Sequence, residues 1–147
     1  MRMSLREWVQ YGWLTEHTSS PEEIKNLLGL VDRDLRVCRA KGLGADWSFA
    51  IAYNAALQAA TAALAAAGYR ASRDSHHYRV FQSLEYTVKA DPTFIHCLDA
   101  SRKKRNLSSY EMGGTVSDKE AKEMAALATR LCTEVERWIR TEHPGLL

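Results

Sequence analysis

Residues 45–70 read ADWSFAIAYNAALQAATAALAAAGYR, and how this stretch folds decides the rest. Ala50, Tyr53, Leu57, Ala60 and Leu64 recur at steps of three and four and make one stripe of a helix, while Trp47, Ile51 and Ala55 make a neighbouring one. Alanine is the best helix former, and its small side chain lets partner helices approach closely. The spacing therefore predicts a long central helix with a neighbour on each side. Gly68 is suited to stop it, because glycine takes the left-handed conformation at low cost. The apolar run within it, AALQAATAALAAAG, is alanine-rich and too short to cross a bilayer, so a core helix is expected and no membrane contact.

Helical signals continue in both directions. Upstream, HTSSPEEIKNLL offers Ser20 as a cap, Pro21 in the first turn and Glu22 and Glu23 at the positive end of the dipole. Ile24, Leu27, Leu28, Val31, Leu35 and Cys38 follow with helical spacing, and Gly42 and Gly44 close the segment. Residues 1–18, with Leu5, Trp8, Val9, Trp13 and Leu14, read as a short amphipathic helix or arm weakened by Gly12. Trp8 and Trp13 are expected to pack it onto the bundle or onto a second subunit. Downstream, DSHHYRVFQSLEYTVK at 74–89 predicts a helix capped by Asp74 or Ser75, with His77, Phe81, Leu84 and Val88 on one face. Asp91 and Pro92 restart a helix through TFIHCLDASRKKRN, on which Phe94, Ile95 and Leu98 are the apolar residues. Ser117 and Glu120 have the spacing of a capping box for a last helix to about residue 141, with Met124, Ala128, Leu131, Val135 and Trp138 as its seam. No stretch shows the alternation of a strand. The expected fold is all-α, a single antiparallel up-and-down bundle of five to six helices spanning residues 1–147.

Composition is consistent with that. The chain has 147 residues, 46% of them hydrophobic and 26% charged, which suits one soluble globular domain and excludes a disordered chain. A net charge of +2 is too small to argue for nucleic acid by itself. The three cysteines, Cys38, Cys97 and Cys132, lie far apart without a paired spacing, so no disulfide framework or zinc site is indicated and buried reduced thiols are expected. The opening MRMSLREWVQ has no apolar core of a signal peptide, so a cytoplasmic protein is expected. Phosphate loops, nucleophile elbows and HExxH are absent from the sequence, and no cofactor or metal is expected.

The stretch with chemistry in it is SRKKRNLSSYEMGG at 101–114. If the helix from Asp91 continues past Leu98, Arg102, Arg105 and Asn106 fall on or near one face, with Tyr110 a turn later. Arginine presents a rigid donor fork that matches phosphate. Asparagine bonds a phosphate oxygen, a ribose hydroxyl or a base edge, and tyrosine stacks on bases. The same residues also suit an ordinary helix end, where cations complement the negative end of the dipole and Asp99 pairs with Arg102. His76 and His77 are adjacent and point to different sides of a helix, which suits capping and packing better than a shared metal ion. They become relevant to a site if the fold brings them to Arg105. The alanine-lined space around residues 50–65 is a weaker candidate for a small-molecule pocket, since small residues usually allow close packing.

The order of an alanine-rich helix ending AALAAAGYR, a helix containing HH, and RKKRNLSSYE before a capped final helix resembles the HEPN superfamily, over roughly residues 20–142. The resemblance implies a small helical bundle that dimerises with the motifs of both subunits facing one cleft. It implies RNA or a nucleotide as ligand, and a toxin–antitoxin-type setting with a nucleotidyltransferase-type protein as partner. Its most specific element is Arg105-Asn106 followed by an aromatic residue. The RNase members carry Arg, four to six residues, then His; after four intervening residues this chain has Tyr110. A phenol with an ordinary pKa of about 10 is a poor base at pH 7, whereas histidine titrates near neutrality. The resemblance therefore implies binding by Arg102, Arg105, Asn106, Tyr110, His76 and His77. A catalytic role for Arg105 and Tyr110 applies only if the chain is an active, metal-independent endoribonuclease. The other reading is a non-enzymatic bundle that docks a protein partner.

Overall fold

The computed structural model describes residues 3–73, 76–110 and 115–147, with 107–110 as helix backbone only. It is an all-α bundle with six α-helices among the described residues. They are α1 (Leu5–Gln10), α2 (Pro21–Val37), α3 (Ala45–Ala66), α4 (His76–Gln82), α5 (Pro92–Tyr110) and α6 (Asp118–Glu142). The long helices alternate in direction. Ser48 near the start of α3 donates to the Cys38 carbonyl at the end of α2, and Asn54 further along α3 bonds Asp34 further back on α2. Lys104 late on α5 meets Glu120 early on α6, while Arg130 late on α6 lies over Phe94 early on α5.

The helix ends form where the side chains direct. The Ser20 and Ser117 hydroxyls accept from the backbone N–H of Glu23 and Glu120, and the Glu120 carboxylate accepts from the Ser117 N–H, completing the capping box. Asp91 accepts from the Thr93 N–H at the start of α5. Gly68 follows α3 with a φ of +99°, the left-handed conformation that lets the chain leave the helix.

α3 packs against α2 and α6 on one side and against α4 and α5 on the other. Ala52, Ala55, Ala56, Ala59, Ala60, Ala62 and Ala63 have 0% exposure, so the alanine face is closed packing and no ligand space remains there. At 22 residues α3 is long and apolar enough to cross a membrane, contrary to the shorter run picked from the sequence; 72% of its most apolar window is buried inside the bundle instead.

Several expectations are corrected. A small antiparallel ladder, β1 (Leu14–Glu16) with β2 (Tyr69–Ala71), pairs Thr15 with Arg70 and pins the N-terminal arm beside the end of α3. Three-residue strands are too short for alternation to show in sequence. α4 does not continue to residue 89: after Gln82 a 3₁₀ turn, Ser83–Glu85, buries Leu84, and the Ser83 hydroxyl bonds back to the Val80 carbonyl. Trp47, read as part of the second helical stripe, is exposed. Cys38 and Cys132 are buried thiols as expected, but Cys97 is exposed, because α5 turns its Phe94, Ile95 and Leu98 face inward. The arm behaves as expected: Trp8 is buried edge-on against Trp13 and Tyr86. The proposed Asp74 or Ser75 cap lies outside the described residues.

Candidate functional site

α5 carries the cation cluster out of the core. Its first half is anchored by Phe94, Ile95 and Leu98, and the register that buries these residues leaves Asp99, Arg102, Arg105 and Asn106 on the side toward α4. Asp99 takes Arg102 at 2.9 Å and Lys103 at 3.6 Å, and Lys104 reaches Glu120 on α6 at 3.3 Å. Arg102, Lys103 and Lys104 therefore have carboxylate partners within the chain.

The pairing does not remove Arg102 from function. Arg102 and Asn106 line a cleft of about 540 Å³ together with Arg73, His76, His77 and Tyr78. The histidine pair and the cation helix, 25 residues apart in the chain at His77 and Arg102, thus share one concavity. Arg105 lies close enough to act on His77, with its guanidinium carbon 5.8 Å from the centre of the Tyr53 ring. Tyr110 belongs to α5, but its side chain lies outside the described residues, so the phenol end of the stretch has no geometry here.

Tyr53 sets the state of the site. It is buried on α3, and its hydroxyl lies 3.0 Å from His77 Nδ1. Burial drives the phenol pKa up, outweighing the pull of Arg105 and Arg102 in the other direction, so the hydroxyl keeps its proton. Burial also lowers the His77 pKa, and the positive surroundings of His76, Arg105 and Arg102 push the same way. His77 is therefore neutral at pH 7. The phenol hydroxyl both donates and accepts, so the bond forms in either tautomer of the ring: the phenol gives its hydrogen to Nδ1 when the ring proton is on Nε2, or its oxygen accepts from Nδ1–H. The first tautomer presents a donor at Nε2 and is suited to hold a phosphate oxygen. The second presents a lone pair there and is suited to take a proton.

Sequence reasoning missed three residues of this site. Arg73 comes from the link between β2 and α4 and carries no motif. Tyr78 follows the histidine pair and reads as one more aromatic. Tyr53 reads as core, and the available signal was a hydroxyl on an otherwise alanine-lined helix, since a buried phenol requires a partner. Two other arginines that precede histidines in the sequence lie elsewhere: Arg70 pairs with Glu23 at 3.7 Å, and Arg137 lines a different hollow with Lys89 and Trp138.

Asp32, Cys132 and Glu136, on α2 and α6, bring their ligand-type atoms within 4.8 Å of one another. Burial, aided by the Glu136 and Asp32 carboxylates, pushes the Cys132 thiol up to about 12. The protonated thiol is a poor ligand, so this group reads as a packed cysteine beside two carboxylates. No family model matches this chain, and no curated protein or solved structure matches it either.

Proposed function

We propose that the chain is a HEPN-like module that binds RNA or a nucleotide by its phosphate, in the cleft between α4 and α5. One observation carries this reading: Arg73, Arg102, Asn106, His76 and His77 surround one concavity, although they come from separate parts of the chain. The arginines, Asn106 and His76 have donors for a phosphate oxygen, and the arginines supply the charge. Arg102 is held by Asp99 at the mouth of the cleft, and Arg105 adds positive potential nearby. Metal-independent RNase activity is weak or lost in this proposal, because Tyr110 stands where the RNase members carry histidine, and a phenol is a poor base at pH 7. The module works as a homodimer, so that two clefts face one ligand, in a toxin–antitoxin-like or stress system.

Gel mobility of a short RNA tests the reading, with wild type set against Arg102→Ala at several salt concentrations. The variant is expected to bind about tenfold more weakly, with the salt slope reduced by about one. Equal retardation by the two proteins removes the cleft from the account.

A second reading has one observation of its own. The ion pairs of Arg102 and Lys103 with Asp99, and of Lys104 with Glu120, are what a plain helix surface would carry. On that reading the bundle docks a protein, of the nucleotidyltransferase type implied by the resemblance, and wild type retards no RNA at all.

A further inference from the structure

The cleft is not an isolated concavity. At the other end of α4 an aromatic cluster begins, and a chain of ring and cation contacts joins the two. Arg102 at the cleft lies 5.7 Å from the Tyr78 ring, Tyr78 lies 5.2 Å from the Arg79 guanidinium, and that guanidinium sits 3.6 Å from the centre of the Trp13 ring. Tyr11 stacks on Trp13, with centroids 4.9 Å apart and planes inclined by 25°. The backbone makes a second connection. Ser72 donates its N–H to the Trp13 carbonyl and its hydroxyl to the Gly12 carbonyl, so the turn bearing Tyr11 and Trp13 is tied to the residue before Arg73, itself part of the cleft.

Packing accounts for most of this cluster but not for Tyr11. Trp8 is buried against Trp13 and Tyr86 and already fixes the arm. Tyr11 remains 60% exposed, which leaves much of a large ring in water without a core to fill. A flat aromatic face backed by a second ring and a guanidinium is the surface on which an unpaired base stacks. The neighbouring cationic cleft suits the phosphates on either side of such a base.

We propose that Tyr11 and Trp13 form a base-stacking step beside the α4–α5 cleft, which makes the ligand single-stranded RNA. The inference rests on the cleft reading above and adds the class of RNA. A paired base has both faces covered by its neighbours in the helix, so a duplex cannot use the step. A free nucleoside phosphate gains less than a strand that reaches the cleft and the step at once.

The test is fluorescence anisotropy at low salt with three probes of equal length: a single-stranded RNA decamer, the same decamer with abasic sites, and its duplex. The proteins are wild type, Tyr11→Ala, Tyr11→Phe and Arg102→Ala. Wild type is expected to prefer the single strand. Tyr11→Ala should weaken that probe about tenfold or more, leave the abasic strand unchanged, and be rescued by Tyr11→Phe. Arg102→Ala should weaken all three probes. Tyr11→Ala binding like wild type while Arg102→Ala loses affinity overturns the stacking step and leaves the cleft standing. An equal loss on the abasic strand, or a wild type that takes the duplex as tightly, also overturns it. A wild type that binds none of the probes removes the cleft and the step together.

Discussion

The two sides of α3 meet their neighbours in opposite ways. Toward α2 and α6 the helix offers fully buried alanines, and the interface is close contact between small side chains. Toward α4 and α5 it offers Tyr53, whose hydroxyl crosses to His77 at the back of a cationic cleft. The first side has little room for change in volume, and its polar contacts, such as Asn54 with Asp34, are made between the helices themselves. The second spends its interior on a hydrogen bond and ends at water. One side holds the fold, and the other holds whatever chemistry the protein has; they should therefore respond differently to mutation.

The largest effect is expected on the closed side. Leu131 on α6 is fully buried in the main core. Leu131→Ala removes its packing and leaves a cavity that helices this close cannot collapse to fill, at a cost of about 3 kcal/mol. Urea unfolding measures it. RNA affinity of the protein that remains folded should not change. A cost below about 1 kcal/mol would mean that the α3–α6 contact is looser than its burial indicates.

A smaller loss tests the polar exception on the same side. Asp34 on α2 is buried, paired with Arg33 at 3.1 Å, and accepts a 2.7 Å hydrogen bond from Asn54 on α3. Asn54→Ala leaves a buried carboxylate oxygen without that donor, which costs about 2 kcal/mol in the same measurement. Asn54→Asp should cost more, because it sets a second carboxylate against the first. If Asn54→Ala is neutral, the Asp34 carboxylate is served well enough by Arg33 and solvent, and the bond adds direction without stability.

How much of each side was legible in the sequence follows from the same division. The closed side was legible: alanine stripes, Ser20, Ser117 and Gly68 act through local rules of helix packing and capping, and the helices formed where those rules put them. The α5 half of the cleft was legible from spacing, while His76 and His77 could be named only on the condition that the fold brings them to it. Arg102 and Asn106 could be placed on a shared face from their spacing, but whether His76 and His77 join them depends on the link from α3 to α5, which a helical pattern extended to residue 89 misreads. The 3₁₀ turn after Gln82 ends α4 early. The β1–β2 ladder depends on pairing between residues 55 apart, such as Thr15 and Arg70, and such a contact leaves no local pattern. Arg105 illustrates the limit: spacing nominated it beside Arg102, but its approach to the Tyr53 ring on α3 depends on the packing of two helices and leaves no local pattern.

The smallest expected effect on stability is the most informative about the cleft. Tyr53→Phe keeps the ring in its place and deletes the hydroxyl, at about 1 kcal/mol. Its consequence is for His77. The folded protein holds this imidazole below its ordinary pKa of 6.5, through burial first and the nearby cations second. Below pH 6.5 the unfolded chain therefore binds the proton more readily than the folded one. This contribution to stability is complete above about pH 6.5 and is lost as pH falls through the lowered folded value. The phenol bonds the neutral ring, and once Nδ1 is protonated its oxygen accepts from the charged N–H, the stronger of the two bonds, so its removal makes protonation harder. Nuclear magnetic resonance titration should find the His77 pKa lower in Tyr53→Phe than in wild type, with both below 6.5 because burial persists. RNA affinity should rise as His77 becomes charged, and this rise should move to lower pH in the variant. A wild-type His77 that titrates at or above 6.5 would show that the ring is solvated, and the neutral imidazole assigned to the cleft would have to be abandoned.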